Sequence, residues 1–276
     1  MYSGGKFSVT GFPAIDSVMA GLQPGSLGLL IGHTGGGKTA MAVYSAIQNA
    51  LLGRNVWYLS LEESGDDILN RIYSNLFRVS YTDIKFGKNH APTRLKKAFE
   101  SRSEAAETVL RNLLVHDLSK NRPTCDYLKR YFEDCFSRQS ARPDVIYIDQ
   151  MDYLNTVETF DSKWEKYEQV SKDVWRLATN LSGKHKFSVW LLHQAKGKMR
   201  RTYTNDDISA FNGVMRPADV VLAIGRDSNL HQVASIFTLK SRHSPNLKFD
   251  YLTHFEFMDF EYYDHGAVER TNISKV

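Results

Sequence analysis

The sequence predicts an α/β domain: a mostly parallel sheet with helices on both faces and antiparallel strands at its C-terminal edge. Three observations carry that prediction. Short apolar runs at 27–31, 56–61, 145–148, 187–192 and 220–224 read as buried strands. Segments with helical spacing lie between them, the alternation that gives parallel strands joined by crossover helices. From 233 onward short strands follow one another without helices, at Val233–Lys240, Leu247–Tyr251 and Thr253–Phe260.

The 276 residues suffice for one such domain with a well-filled core. An apolar fraction of 42% and a charged fraction of 24% are those of an ordinary globular protein. The net charge of +4 pulls only weakly toward polyanions, so where the charge sits matters more than its sum. No apolar run approaches the roughly 20 residues of a membrane span, and Met1–Lys6 has no apolar signal region. Cys125 and Cys135, ten apart, form neither a disulfide framework nor a zinc pattern. A reducing, cytoplasmic setting without a membrane partner is expected.

Taken in order, residues 1–9 read as a tail. Thr10-Gly11-Phe12-Pro13-Ala14-Ile15-Asp16 and Gly21-Leu22-Gln23-Pro24-Gly25 frame a turn-rich entry to the first strand. That strand, Leu27–Ile31, runs into a glycine-rich loop, and Ala40–Ile47 reads as the helix behind it. Gly53-Arg54-Asn55 turns the chain into Val56–Leu61, which ends at Glu62-Glu63. Asp66–Phe77 has apolar residues at 68, 69, 72, 73, 76 and 77, a helical spacing. Residues 85–110, basic and polar, read as helix with a solvated face in preference to a nucleic-acid surface. Leu113–His116 is a short strand and Thr124–Phe136 a helix. Pro143 leads into Val145–Ile148, closed by Asp149. A helix over about 164–181, broken by Gly183, precedes Phe187–Leu192, which ends in His193-Gln194. A basic loop and the strand Val220–Ile224 follow. Without repeats or a low-complexity linker the chain divides into one domain, 10–262, and tails at 1–9 and 263–276.

The loop Gly32-His33-Thr34-Gly35-Gly36-Gly37-Lys38-Thr39 sits between a strand and a helix, the context a phosphate-binding P-loop requires. Its glycines let backbone N–H groups curl around phosphate oxygens, and the helix N-terminus adds partial positive charge. Lys38 is placed to reach the β- and γ-phosphates and Thr39 to ligate Mg²⁺. In such sheets ligands sit at the carboxyl ends of the strands. Asp149 there has the Walker-B pattern of a magnesium-holding carboxylate. Glu62 can activate the attacking water, or act as one of several carboxylates at a helix N-terminus in Glu62-Glu63-Ser64-Gly65-Asp66. Gln194 can feel the γ-phosphate and report its loss to the following loop. That loop carries Lys196, Lys198, Arg200 and Arg201, with Gly197 for flexibility and Tyr203 behind. Such a loop can grip a nucleic-acid backbone in one nucleotide state and release it in another, or serve only as a solvated charged segment.

Together these segments resemble the RecA-like motor domain of DnaB-type replicative helicases, the ring-forming superfamily 4, over about residues 8–262. Thr10-Gly11-Phe12, Asp16 and Gly21-Leu22 are similar to that family's lead-in to the P-loop, and Ser60-Leu61-Glu62 to its second motif, where the glutamate activates water. Ile148-Asp149 takes the Walker-B place and Gln194 that of the sensor glutamine. Asp207-Ile208 through Ala218-Asp219-Val220-Val221 resembles the fourth motif, with Arg226 where the family has an arginine near the base. Leu239-Lys240-Ser241-Arg242-His243 resembles the Lys-x-Arg element that these rings insert into the neighbouring subunit's site.

The resemblance implies a RecA-like P-loop NTPase core that hydrolyses ATP with Mg²⁺ between the subunits of a hexameric ring. Single-stranded DNA would be its track, duplex unwinding in replication its task, and a primase or helicase loader its protein partner. The chain departs from the pattern in three places. Only residues 1–9 precede the core, where the family has a helical domain and a linker helix. Gln150-Met151-Asp152 stands where Tyr-Leu-Gln is typical, and Phe211-Asn212-Gly213 replaces a Ser-Gly-Ala-like turn near DNA. These leave open a second reading, a RecA- or KaiC-like regulatory or recombination ATPase that unwinds nothing.

Overall fold

The computed structural model describes residues 7–101, 103–138, 142–180, 186–195, 197, 199, 201–203, 212–226, 232–242 and 244–263. Within them lies one nine-stranded sheet of order β3-β2-β4-β5-β1-β6-β7-β8-β9. Its strands are β1 (Leu27–His33), β2 (Val56–Ser60), β3 (Leu113–Asp117), β4 (Val145–Asp149), β5 (Ser188–Ala195), β6 (Val220–Arg226), β7 (Val233–Ser241), β8 (Lys248–His254) and β9 (Asp259–Tyr262). From β3 through β6 every pairing is parallel. From β6 through β9 every pairing is antiparallel. The predicted fold class holds.

The parallel strands read as continuous apolar runs because both faces are covered. Alternate residues go to opposite cores. Leu30, Tyr58, Tyr147, Trp190 and Leu192 pack with helix α2 (Lys38–Leu51). Leu29, Ile31, Trp57, Leu59, Ile146, Ile148 and Leu191 pack with α7 (Cys125–Arg138) and α8 (Lys163–Asn180). Gly28 is required in β1 because a Cβ there would run into the Trp190 ring.

Five local readings change. The entry is not all turn: Pro13–Met19 forms helix α1, and the Asp16 carboxylate gathers Thr10 N, Thr10 Oγ1 and Gly11 N at 2.8–2.9 Å. Ser8 and Val9, placed in the tail by sequence, are tied down. Ser8 bridges Leu22 and accepts from Trp190 Nε1, while Asn49 holds Val9 at both its N–H and its carbonyl. The basic stretch is not one helix. After α3 (Gly65–Phe77) it folds as α4 (Tyr81–Phe86), α5 (Ala91–Glu100) and α6 (Glu104–Asn112). Left-handed backbone at Gly87, Asn89 and His90 ends α4 before α5 begins.

Fourth, β5 runs past His193 to Ala195, and β6 to Arg226, so Gln194 and Arg226 lie within strands. Fifth, the last reversal falls at Phe255–Phe257, a tight 3₁₀ turn closed by left-handed Met258, not near residue 252. No Gly, Pro or Asn marks it in sequence. Cys125 and Cys135 are free thiols, and burial pushes Cys125 up to about 12. Among the described residues no helix is long and apolar enough to cross a membrane.

Candidate active site

The glycine loop leaves β1 at His33 and enters α2 at Lys38. Gly35 and Gly37 have φ of +69° and +98°, which residues with a Cβ adopt only at a cost. Gly36 N closes the turn on His33 O at 2.9 Å. Gly37 has no room either, since a Cβ would stand 2.6 Å from the Phe255 ring. His33 itself turns into the fold and stacks on Tyr203 with ring centroids 5.1 Å apart. Above the loop opens a cleft of about 350 Å³, lined by His33, Thr34, Gly35, Gly37, Lys38 and Thr39, and across from them by Glu62, Gln194 and Arg226. That size suits a small-molecule ligand.

Lys38 is 8% exposed. Burial pushes its ammonium below the ordinary lysine value, and Asp149, Glu62 and Asp152 oppose the shift. Asp149, at the end of β4, is 3% exposed and accepts the Tyr58 hydroxyl on Oδ2 at 2.7 Å. Burial raises its carboxyl against the Tyr58 and Thr39 hydroxyls and Lys38. Its other oxygen, Oδ1, is buried without a hydrogen-bond partner among the described residues. An oxygen left bare at such cost, beside the Thr39 hydroxyl, fits a hard oxygen-seeking cation such as Mg²⁺.

Glu62 and Glu63 are separated by their partners. Glu63 takes the Arg71 guanidinium in both oxygens, at 2.8 and 2.9 Å. Glu62 remains toward the cleft; burial and Asp149 raise its carboxyl, with Lys38 opposing. A carboxylate of raised basicity facing a phosphate cradle can accept a proton from water. Gln194 donates its Nε2 to Thr34 Oγ1 at 2.6 Å, joining β5 to the glycine loop. Arg226 donates to Gly35 O at 3.2 Å and lies 4.4 Å above the Phe255 ring.

Lys240 and Arg242 are not in this cleft. In register Lys240 pairs Val221, which pairs Leu29, four residues before His33 where β1 meets the loop. The offset along the strands is roughly 13 Å at about 3.3 Å per residue. A β-bulge at this point in β7 re-aims the segment. Lys240 Nζ donates to the Met215 and Arg216 carbonyls at 2.9 and 3.0 Å. Arg242 pairs with Asp219 at 3.2 Å and stays 51% exposed. Of the predicted DNA-gripping cations, Lys196, Lys198 and Arg200 lie outside the described residues. Arg201 is not loose in a loop: it donates to Ser235 Oγ at 3.1 Å and pairs with Asp250.

Sequence reading missed Phe255 and Met258, which wall the cleft from the β8–β9 turn, and Arg71, which fixes Glu63. An aromatic in a distant turn between antiparallel strands gives no signal of its own. Arg71 gives none either: it lies on α3, eight residues past Glu63, which precedes that helix, whereas helical neighbours are three or four apart.

A parallel sheet, a glycine loop cradled at the end of its central strand, and carboxylates from two neighbouring strand ends define a RecA-like P-loop nucleotide-binding domain. More narrowly, the chain belongs to the DnaB-like helicase C-terminal domain family, whose model matches residues 8–262. It is 25% identical over 244 residues to the replicative DNA helicase DnaB of Pasteurella multocida, an alignment covering 86% of this chain and 51% of that one. The chain spans about half the length of the curated relatives it matches. In fold it is similar to a solved ATPase domain, with a TM-score of 0.77 at 18% identity, covering 95% of this chain and 94% of that one. A structure of a DnaB-like replicative helicase and its interactions with primase matches with a TM-score of 0.76 at 17% identity, over 96% of this chain and 65% of that one.

Proposed function

We propose that this chain is the ATP-hydrolysing motor of a replicative DNA helicase, acting in the cytoplasm as a hexameric ring on single-stranded DNA. The observation that carries the reading is a division of labour. The phosphate cradle, Glu62 and Gln194 share one end of the sheet, while Lys240 and Arg242 stand at the other, too far to serve their own cleft. A second copy can bring its Lys240 and Arg242 to that cleft and complete it.

ATP would seat its phosphates on Gly32–Thr39, with Lys38 at the β- and γ-phosphates and Arg226 beside the base. When bound, Mg²⁺ neutralises phosphate charge, with Thr39 and Asp149 to hold it. Glu62 takes the proton of the attacking water, and the neighbour's Arg242 neutralises charge on the transferring group. Gln194 registers departure of the γ-phosphate through its hold on the glycine loop. DNA contact falls to Lys196, Lys198 and Arg200. Arg201, bound to Asp250, serves to anchor their loop. Contacts to phosphates predict binding that is sequence-independent and salt-sensitive. A primase or a helicase loader would be the protein partner.

The test is ATPase rate against protein concentration, with and without single-stranded DNA, beside Arg242→Ala. A rate per subunit that rises with concentration and DNA, and collapses in the variant, supports a ring motor with a trans-acting arginine. A flat, DNA-indifferent rate unaffected by the substitution overturns it in favour of a RecA- or KaiC-like regulatory ATPase.

A further inference from the structure

Gln194 can read a phosphate only if its amide faces the right way. The two ends of a primary amide have almost the same shape and opposite hydrogen-bonding character, so partners rather than packing decide which end points where. Here Nε2 is directed at Thr34 of the glycine loop, at 2.6 Å. The carbonyl end, Oε1, receives Gln150 Nε2 at 3.3 Å. Gln150 is 2% exposed, and its own Oε1 is buried without a hydrogen-bond partner among the described residues. A buried amide with an orphaned acceptor is a poor choice for stability alone.

Two residues on, Asp152 holds the same strand by its backbone. Asp152 Oδ2 accepts from Gln194 N at 3.4 Å and faces His193 Nδ1 at 3.5 Å, while Oδ1 accepts the Tyr167 hydroxyl at 2.8 Å. Burial alone would push this carboxyl up, but His193, Tyr167 and Gln194 outweigh it and hold it below the ordinary aspartate value. Between the two, Met151 is wholly buried and pins the 3₁₀ turn Met151–Tyr153 to the core.

We propose that Gln150 and Asp152 are positioning residues that clamp Gln194 at two points: Gln150 directs its amide N–H toward the phosphate cradle, and Asp152 fixes its backbone. The proposal rests on the reading of Gln194 as the γ-phosphate sensor. Without Gln150 the amide is free to turn its oxygen toward the phosphates, where it repels them.

The experiment is a double-mutant cycle on the full chain with ATP, Mg²⁺ and single-stranded DNA, measuring kcat and KM separately. Gln194→Ala must itself lower kcat; if it does not, the sensor reading falls first. Given that loss, Gln150→Leu is expected to lower kcat roughly 10-fold or more with KM changed less than about twofold, and to add nothing further in the Gln194→Ala background. Asp152→Asn, which keeps the shape of the site, is expected to behave the same way in milder form. The clamp is overturned if both variants retain wild-type kcat, or if each lowers it by the same factor with and without Gln194.

Discussion

Two adjacent glutamates show how far a single residue's role depends on its partner. Glu63 is saturated by Arg71, whereas Glu62 faces Lys38 and the cleft with its carboxyl raised by burial and Asp149. Glu62→Gln is expected to reduce turnover by about 10²–10⁴ while nucleotide binding persists, read by single-turnover hydrolysis beside a fluorescent-nucleotide titration. Glu63→Gln should instead leave turnover within a few-fold and lower stability by roughly 1–3 kcal/mol, because Arg71 loses a charged partner. Equal losses of turnover in the two variants would contradict that division. A second residue-scale prediction concerns pH. Burial lowers His116 from the ordinary 6.5 to about 4. Its ring is bound to the Tyr131 hydroxyl at 2.7 Å and packed on Trp57. The unfolded chain therefore binds the extra proton between those values. Stability from this group is complete above pH 6.5 and drains away as pH falls toward 4, by up to about 3 kcal/mol. Urea midpoints at pH 7.5 and 5 should fall more steeply for the wild type than for His116→Gln.

At the scale of elements, close approach sets several choices that polarity does not. β1 carries Gly28 near its start because the Trp190 ring of β5 lies across it, held by Ser8. Gly28→Ala is expected to cost roughly 1–3 kcal/mol by overpacking, seen as a lowered denaturant midpoint with an unchanged m-value. An unchanged midpoint would mean that Trp190 has room to move. The β8–β9 turn shows the same logic in the site: Phe255 comes down on Gly37 and carries Arg226 on its face. Helix α8 also joins two regions. Tyr167 reaches Asp152, and Ser171 donates to Val214 O at 2.7 Å, next to the carbonyls on which Lys240 rests.

For the whole molecule the decisive feature is that the phosphate cradle and the Lys240–Arg242 segment lie at opposite ends of one sheet. Lys38→Ala and Arg242→Ala should each be nearly inactive alone, since one removes the cradle's cation and the other the cation offered outward. Mixed in equal amounts they should regain part of the DNA-stimulated rate, because some interfaces pair an intact cradle with an intact Arg242. A mixture no faster than its components would show that Arg242 acts within its own subunit, which roughly 13 Å along the strands makes difficult.

The sheet, the glycine loop and the polar residues standing at the strand ends were legible in the order of amino acids alone. Buried parallel strands must be apolar along their whole length, and a phosphate cradle needs glycines followed by Lys-Thr in a fixed order. The places of Asp149, Glu62 and Gln194 were legible because polar residues that end buried parallel strands gather at one edge of the sheet. The break between α4 and α5 was hidden because it depends on left-handed backbone at Asn89 and His90, residues that do not compel it. Packing between elements alone sets that Arg71 takes Glu63, that Phe255 walls the cleft, that Arg201 is held by Asp250, and that Gln150 and Asp152 contact Gln194. Each of these pairs lies on different elements, and which side chains meet there is set by strand register and by how the helices dock. The chain's local pattern carries no record of either.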